Sequence, residues 1–419
     1  MVSFQTCDPG PQNWQLTTEN YPRVQPRRDR YNPYAMQDDV IYFDNNATTR
    51  PLPEVVDAMM PILRDSYANP SSVHQFGQSA RHAVECAREQ VANLIGAEAK
   101  EIVFTSGGTE AINLAIRGCL AMRPDKRRFV TTAVEHSAVL RVAEELAREG
   151  YEVEFVGVDG DGRLDEDQWA SALTDETAMA SIILVNNETG VVFDVSGPAS
   201  AAAEKGIPVH VDAIQSTGKL PIAVHDWPVQ FLSLSAHKFH GPKGAGALYV
   251  RRRSRLGPLL LGGSQERNLR GGTENVAGIV GMGLAAELAI RDMAQTCEVV
   301  GRLRDKLEAE LVRRAPDARV IGAGAERLFN TSNVAFSGLA AEAILILFSE
   351  AGLCASSGSA CSSGSLEPSH VLKAMGIDPV VAQGAIRFSL SKFTAVEEVD
   401  KAVAIIPDLL ARLTSLRGA

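Results

Sequence analysis

The sequence predicts an α/β fold: a large doubly wound domain on a mainly parallel sheet, followed by a smaller α+β unit. Short β-rich runs alternate with helical patterns from Val40 to about residue 250, as strands joined by crossover helices do. A long helical stretch, 275–314, then leads into a second group of strands and helices. Polar and charged residues recur where the apolar strands end, the edge at which open α/β sheets bind ligands.

Residues 1–38 are rich in Pro, Gln, Asn and Arg and show no apolar period, so they read as a poorly ordered tail. The strand-like runs that follow are EIVFT (101–105), RFVTT (128–132), YEVEFVGV (151–158), TAMASIILV (177–185), IPVHVD (207–212), VQFLSLS (229–235) and GALYV (246–250). Helical patterns lie between them, one reaching about Ala121 and another spanning 137–150. The helical stretch 275–314 is interrupted by glycines at 278, 281 and 283. Beyond it come TSNVAFSG (331–338), AEAILILFSEAG (341–352), AIRFSLSKF (385–393) and a closing helix over 396–413. This places a large cofactor-binding domain at 39–292 and a small C-terminal domain at 293–419. The one low-complexity segment is ASSGSACSSGS, 355–365.

Composition narrows the function. With 419 residues, 45% hydrophobic and 22% charged, the chain resembles an ordinary globular protein. Its formal net charge of −10 repels phosphate backbones and anionic lipid, so no nucleic-acid or membrane partner is expected. No run of eighteen apolar residues and no secretory or transit pattern is visible. The six cysteines form no CxxC pair and no zinc-ligand spacing, so no metal site is expected. Scattered thiols point to a reducing, cytoplasmic setting.

The strand ends carry the chemistry. Ser235-Ala236-His237-Lys238 closes the apolar run VQFLSLS, where an unpaired ammonium is costly. A lysine so placed reads either as the start of a surface loop or as a Schiff-base nucleophile, most commonly for pyridoxal phosphate. Asp212 ends IPVHVD and could keep a pyridine nitrogen protonated. Gln215, just beyond, could donate to a phenolic oxygen. Ser106-Gly107-Gly108-Thr109 joins a strand to a helix, which makes an ordinary βα turn or an anion site of backbone N–H groups and helix dipole. It lacks the lysine of a P-loop. His136 opens the helix after RFVTT, where an imidazole can lie over a flat ring and exchange protons. Asn187 follows another apolar strand. Each is weak alone; together they point to one site.

The motifs YFDNNATT (42–49), NPSSVHQFG (69–77), TSGGTEAIN (105–113), VEHSAVL (134–140), NNETG (186–190), HVDAIQSTGK (210–219), SAHKFHGPKGAGALY (235–249), RGGTEN (270–275) and SSGSACSSGSLEPSHVL (356–372) occur in this order. Over about 40–415 the chain resembles the cysteine desulfurases of the class V aminotransferase group, most closely the nitrogen-fixation type. The resemblance implies a fold-type-I pyridoxal 5′-phosphate enzyme, a homodimer with sites at the subunit interface. It implies that Lys238 is the Schiff-base lysine, His136 the ring-stacking acid/base and Asp212 the partner of the pyridine nitrogen. Asn187 and Gln215 then stand near the phenolic oxygen. Gly108, Thr109, Ser235 and His237 form the phosphate cradle, with Thr273 reaching it from the partner subunit. Arg387, helped by Asn187, takes the substrate carboxylate through its planar fork. Ser264 departs from the family pattern, and the long tail is unfamiliar.

Such a cofactor set would serve a transaminase, a lyase or a desulfurase equally. Cys361 selects among them: it sits in a Ser/Gly-rich loop with little to pack, whereas Cys354, in GLCASS, reads as a packing residue. The resemblance implies conversion of L-cysteine to L-alanine, a persulfide on Cys361, and delivery of that sulfur to an iron–sulfur scaffold protein, with nitrogenase as one client. A selenocysteine lyase and a catalytically retired scaffold subunit are the competing readings. The second would be expected to lack Lys238 or Cys361, and both are present.

Overall fold

The computed structural model describes residues 40–315, 317–357 and 368–417. After β1 (Ile41–Tyr42) come β2 (Ile102–Thr105), β3 (Arg128–Thr132), β4 (Glu152–Val156), β5 (Thr177–Ile183), β6 (Val209–Asp212), β7 (Phe231–Ser235) and β8 (Gly246–Val250). The last seven form one sheet in the order β2-β8-β7-β6-β5-β3-β4. Neighbours from β4 to β7 are parallel, and β8 is antiparallel to both β2 and β7. The mainly parallel α/β sheet expected from the alternating pattern is therefore present. Every residue of β5 and of β7 is buried, as befits a sheet covered on both faces.

Six helices accompany these strands: α1 (Pro53–Arg64), α2 (Gln75–Leu94), α3 (Gly108–Ala121), α4 (Ser137–Arg148), α5 (Glu166–Ala172) and α6 (Ser196–Glu204). Next comes α7 (Val276–Arg314), 39 residues long. The glycines expected to interrupt α7 lie inside a continuous helix. At Gly283 a Cβ would come within 2.7 Å of the Ala87 Cα, so glycine here lets the backbones of α2 and α7 touch. The remaining elements are β9 (Ala318–Val320), β10 (Thr331–Phe336), α8 (Ala341–Glu350), β11 (Leu353–Cys354), α9 (His370–Ala374), α10 (Pro379–Ala382), β12 (Ala385–Ser389) and α11 (Val396–Arg417). They include an antiparallel sheet ordered β12-β10-β9 and a parallel pair, β1 with β11.

Two buried polar arrangements tie the frame together. His210 on β6 is fully buried, with Nδ1 2.8 Å from Ser181 Oγ on β5 and Nε2 2.8 Å from Ser233 Oγ on β7. Arg88 on α2 meets Glu266 through two N–H donors, at 2.7 and 2.9 Å, and both residues are buried. Glu266 also accepts from the Phe104 amide of β2, at 2.9 Å. This ion pair fastens a turn in which Glu266, Arg267 and Asn268 all adopt left-handed backbone, with φ of 44°, 56° and 67°. Side chains rarely take up that conformation without compensation from their surroundings.

Removing one partner of a buried ion pair leaves the other as an uncompensated charge, which costs about 3–5 kcal/mol. Glu266→Gln should lower the denaturant midpoint by less than that full cost, because Arg88 keeps the exposed Glu85 at 3.3 Å, without changing the slope of the transition. Adding Arg88→Met to that variant should restore part of the loss. Equal stability of Glu266→Gln and the parent would show that the pair does not hold the turn.

Candidate functional site

The carboxyl ends of β2, β3, β5, β6 and β7 face a cavity of about 210 Å³. Gly108, Thr109, His136, Asn187, Asp212, Gln215, Ser235, His237 and Lys238 all line it. These residues lie up to 130 positions apart, and the sheet topology brings them to one edge. Of the other residues singled out in the sequence, Arg387 stands beside the cavity and Thr273 is exposed on the loop before α7. Cys361 lies outside the described residues.

Lys238 sits in a single turn at the end of β7. Its Nζ donates to the carbonyls of Asn46 at 2.6 Å and Ala47 at 2.9 Å. Asp212 ends β6 and accepts from the Ile214 amide at 3.0 Å. Burial raises the Asp212 carboxyl to about 6, opposed by that amide and by the charge of Lys238, so it is largely ionised at neutral pH.

His136 caps α4. Its Nδ1 accepts from the Ala138 amide at 3.1 Å, which leaves the proton of the neutral ring on Nε2. Burial, then the nearby Lys238, pushes His136 down to about 4. The ring is therefore neutral around pH 7, whereas the sequence reading expected it to exchange protons near neutrality. The helix-start role and the cavity-lining role coincide in one residue. His237 is likewise lowered to about 4 by burial and Lys238, and its Nδ1 lies 3.2 Å from Thr48 Oγ1.

The turn into α3 forms the anion end of the cavity. A Cβ at Gly108 would come within 2.2 Å of Ile214 Cδ1 and 3.5 Å of Ser235 Cβ, so a larger residue here would have to displace the Ile214 side chain. Glu110 accepts from the Ser106 amide at 2.8 Å and pairs with Arg270 at 2.9 Å, which ties the RGGTEN loop to this turn.

Arg387, on β12, is 3% exposed. It donates to the Asn187 carbonyl at 3.0 Å and to Asp44 Oδ1 at 2.7 Å, while its Nε is buried without a partner among the described residues. Asp44, Asn46 and Lys219 were missed in the sequence reading. Asn46 offers the site its carbonyl, which every residue type possesses, while its side-chain amide donates to the Asn187 carbonyl at 3.2 Å and Thr331 Oγ1 at 2.9 Å. Asp44 and Lys219 sat in motifs already quoted, yet nothing in their spacing signalled burial against the site. Cys354 is half-buried, and burial raises its thiol, as expected of a packing cysteine.

A family model described as aminotransferase class V matches residues 41–402. A cysteine desulfurase from Trichormus azollae is 50% identical over 377 residues, covering 90% of this chain and 94% of the relative. Among solved structures, a NifS-like protein superposes with TM-score 0.84 at 38% identity, covering 89% of this chain and 100% of that one. A second, titled as SspA in complex with cysteine, gives TM-score 0.76 at 36% identity, covering 84% of this chain and 99% of its own. Proteins of this family use pyridoxal phosphate, and the cavity fits that group. It offers a helix N-terminus at Gly108 and Thr109, a buried carboxylate at Asp212 and an amine at Lys238.

The buried titrating groups set the pH dependence of folding. His136, His237 and His240 are lowered to about 4 and His210 to about 3, chiefly by burial. The unfolded chain, with histidines near 6.5, then binds more protons than the fold, so these groups make stability rise between about pH 4 and 6.5. Asp212, raised to about 6, and Glu135, raised to about 8 by burial and by Asp212, act in the opposite sense. Below pH 6.5 the four histidines outweigh Asp212, Glu135 and Glu188, which burial also raises; above it Glu135 continues to remove stability while Lys219, lowered from 10.5 to about 7, adds it as pH rises. Denaturant midpoints should therefore rise from pH 5 to 7 and change little from pH 7 to 8, where Glu135 and Lys219 oppose each other, and Glu135→Gln should let the rise continue toward pH 8. A midpoint that keeps falling from pH 5 to 7 would contradict this assignment.

Proposed function

We propose, on the premise that the chain belongs to the cysteine desulfurases of the class V aminotransferase family, that the cavity at the strand ends binds pyridoxal 5′-phosphate and L-cysteine while Cys361 takes the sulfur. The observation that carries this reading is the convergence of Lys238, Asp212 and His136 on one cavity, with the N-terminus of α3 at its end. The activity of the family is release of alanine from cysteine, its sulfur being supplied to iron–sulfur cluster assembly. The solved relative bearing cysteine supports L-cysteine as the substrate.

When bound, pyridoxal phosphate supplies an aldehyde that condenses with amines and a ring that draws electrons from the substrate's α-carbon. Lys238 is the amine that holds it and, once released by the incoming substrate, the base that takes the α-proton. The Asp212 carboxylate balances a positive charge on the ring nitrogen. Amides 107–110, with Thr109, Ser235 and His237, hold the phosphate, and the dipole of α3 favours its charge. His136 presents a neutral ring whose Nε2–H can donate over the cofactor plane. Arg387 takes the substrate carboxylate, with Asn187 orienting the guanidinium through its carbonyl. The Cys361 thiolate attacks the substrate sulfur; the Cβ–S bond breaks, Cβ gains a proton to give alanine, and the sulfur stays on Cys361 as a persulfide.

The same proposal includes a homodimer in which Thr273 reaches the partner's phosphate, an iron–sulfur scaffold protein as acceptor, possible service to nitrogenase, and a cytoplasmic setting. It also includes a large domain at 39–292 and a small one at 293–419. The β12-β10-β9 sheet belongs wholly to the latter, although α7 spans the boundary. No helix among the described residues is long and apolar enough to cross a membrane.

Cys361→Ser should stay yellow and still change its visible spectrum with cysteine, yet release alanine orders of magnitude more slowly, since an unactivated hydroxyl is a poor nucleophile. Mass measurement after a brief cysteine pulse should place one reducible sulfur on the parent's Cys361 peptide. Alanine release at the normal rate from Cys361→Ser, or the added sulfur on Cys354, would refute the assignment.

Mixing Lys238→Ala protomers with Thr273→Ala protomers tests the dimer. If Thr273 acts across the interface, a mixed dimer carries both defects in one site and leaves the other intact, so activity should partly return. No recovery would place Thr273 in its own chain's site.

A further inference from the structure

Behind Lys238 lies a second lysine that the mechanism above does not use. Lys219 follows the turn after β6 and is 8% exposed. It lines, together with Lys238, a second, smaller cavity of about 40 Å³. Its Nζ donates to the Gln215 carbonyl at 3.2 Å and to Gln215 Oε1 at 3.3 Å. Gln215, so held, turns its Nε2 to the Asn46 carbonyl at 2.9 Å. That same carbonyl accepts from Lys238 Nζ at 2.6 Å. The two amines are thus joined by a continuous path: Lys219 to the Gln215 amide, Gln215 to the Asn46 carbonyl, and Asn46 to Lys238.

A buried lysine without a carboxylate is costly, and both of the oxygens that Lys219 contacts are neutral. Burial, then Lys238 and Arg387, lowers its amine to about 7, so the residue contributes hydrogen bonds more than charge near neutrality. An amide side chain can present either end to a neighbour. A donor at Oε1 decides between them, because only one orientation gives Lys219 an acceptor and Asn46 a donor.

We propose that Lys219 is a positioning residue for the cysteine reaction: it fixes the orientation of the Gln215 amide and, across the Asn46 carbonyl, the seat of the Lys238 amine. The inference rests on the reading of Lys238 as the residue that holds the cofactor. Lys219 touches neither substrate nor cofactor and acts only through Gln215. The Gln215 amide lines the main cavity as well, so its orientation also determines which group it shows to a ligand there.

The test uses holoenzyme purified with pyridoxal phosphate. Lys219→Met removes the donor and fills similar volume, which a buried site tolerates. Loss of one aligned hydrogen bond corresponds to roughly a tenfold change in rate. Lys219→Met should therefore slow the cysteine-triggered change in the visible spectrum by about tenfold and alter the visible circular dichroism of the bound chromophore, with the thermal midpoint little changed. Lys219→Arg, which keeps a donor, should recover much of the rate. Gln215→Ala should produce the same defect, and the double variant should be no slower than either single one.

Parent-like rate and dichroism in Lys219→Met would overturn the proposal, as would defects of Lys219→Met and Gln215→Ala that multiply. Should Lys219→Met fail to fold, the comparison of Lys219→Arg with Gln215→Ala decides, since a donor-retaining variant as slow as Gln215→Ala would refute the path. Borohydride reduction followed by peptide mapping keeps the two readings apart. A cofactor fixed to a residue other than Lys238 defeats the assignment of Lys238, whatever the Lys219 variants do.

Discussion

Much of this molecule depends on where one short segment, 41–49, is held. At its start Ile41 donates to Gly352 and Phe43 to Cys354, so the chain enters as a strand beside β11. Asn45 then bonds the Ser389 carbonyl on β12. Four residues later Thr49 donates to the His237 carbonyl at the end of β7 through both its amide and its hydroxyl. The segment therefore bridges the C-terminal strands and the central sheet. Between the two anchorages its carbonyls, at Asn46 and Ala47, receive the Lys238 amine, and its carboxylate at Asp44 receives Arg387. Because peptide carbonyls cannot leave without moving the backbone, the amine is located as firmly as the sheets that hold the segment.

The electrostatics follow from that crowding. Lys238, Lys219 and Arg387 gather in one buried region, with Asp212, Asp44, Glu135 and Glu188 as the nearby carboxyl groups, the last two raised by burial. The surrounding groups respond as a positive, dry environment demands: His136 and His237 are held neutral by burial and by Lys238, and Lys219 is lowered. Adding the N-terminus of α3, the cavity favours anions at both the turn and Arg387. A phosphate and a carboxylate are the anionic groups of the proposed cofactor and substrate. The overall charge of −10 has the opposite sign, so the local arrangement of groups sets the selectivity of the site.

The class of fold was legible because short β-rich runs alternate with helical patterns, and because β5 and β7 carry no charged residue and only small hydroxyl side chains among their apolar ones, as a doubly covered sheet requires. The site was legible to the extent that its residues project from strand ends, since a strand end followed by a polar group is a local pattern. Asp212, His136 and Lys238 announce themselves in this way. Lys219 does not, because its burial depends on the later chain packing over it, including Met293 and Phe329. Asn46 does not, because the partners of its carbonyl and of its side chain, Lys238 and Thr331 among them, lie far along the chain. The glycines of α7 misled for a related reason. Locally, Gly283 argues for a break, yet its value lies in the approach of Ala87, some two hundred residues earlier. Sequence proximity records propensity, and contact at long range overrides it.

The same framework bears on the segment that carries Cys361, through the described residues on either side of it. Upstream, Ser356 pairs with Arg387 by two backbone hydrogen bonds, at 3.2 and 2.6 Å, so this flank is attached to the strand that bears the proposed carboxylate-binding arginine. Downstream, the Ser369 hydroxyl donates to the buried Glu188 carboxyl at 2.5 Å, and His370 Nε2 lies 2.9 Å from the Glu135 carbonyl. Glu188 is the residue after Asn187, and Glu135 is the residue before His136. The upstream flank is thus fixed to the backbone of Arg387, and the downstream flank to the Glu188 carboxyl and the Glu135 carbonyl, each next in sequence to a residue that lines the cavity.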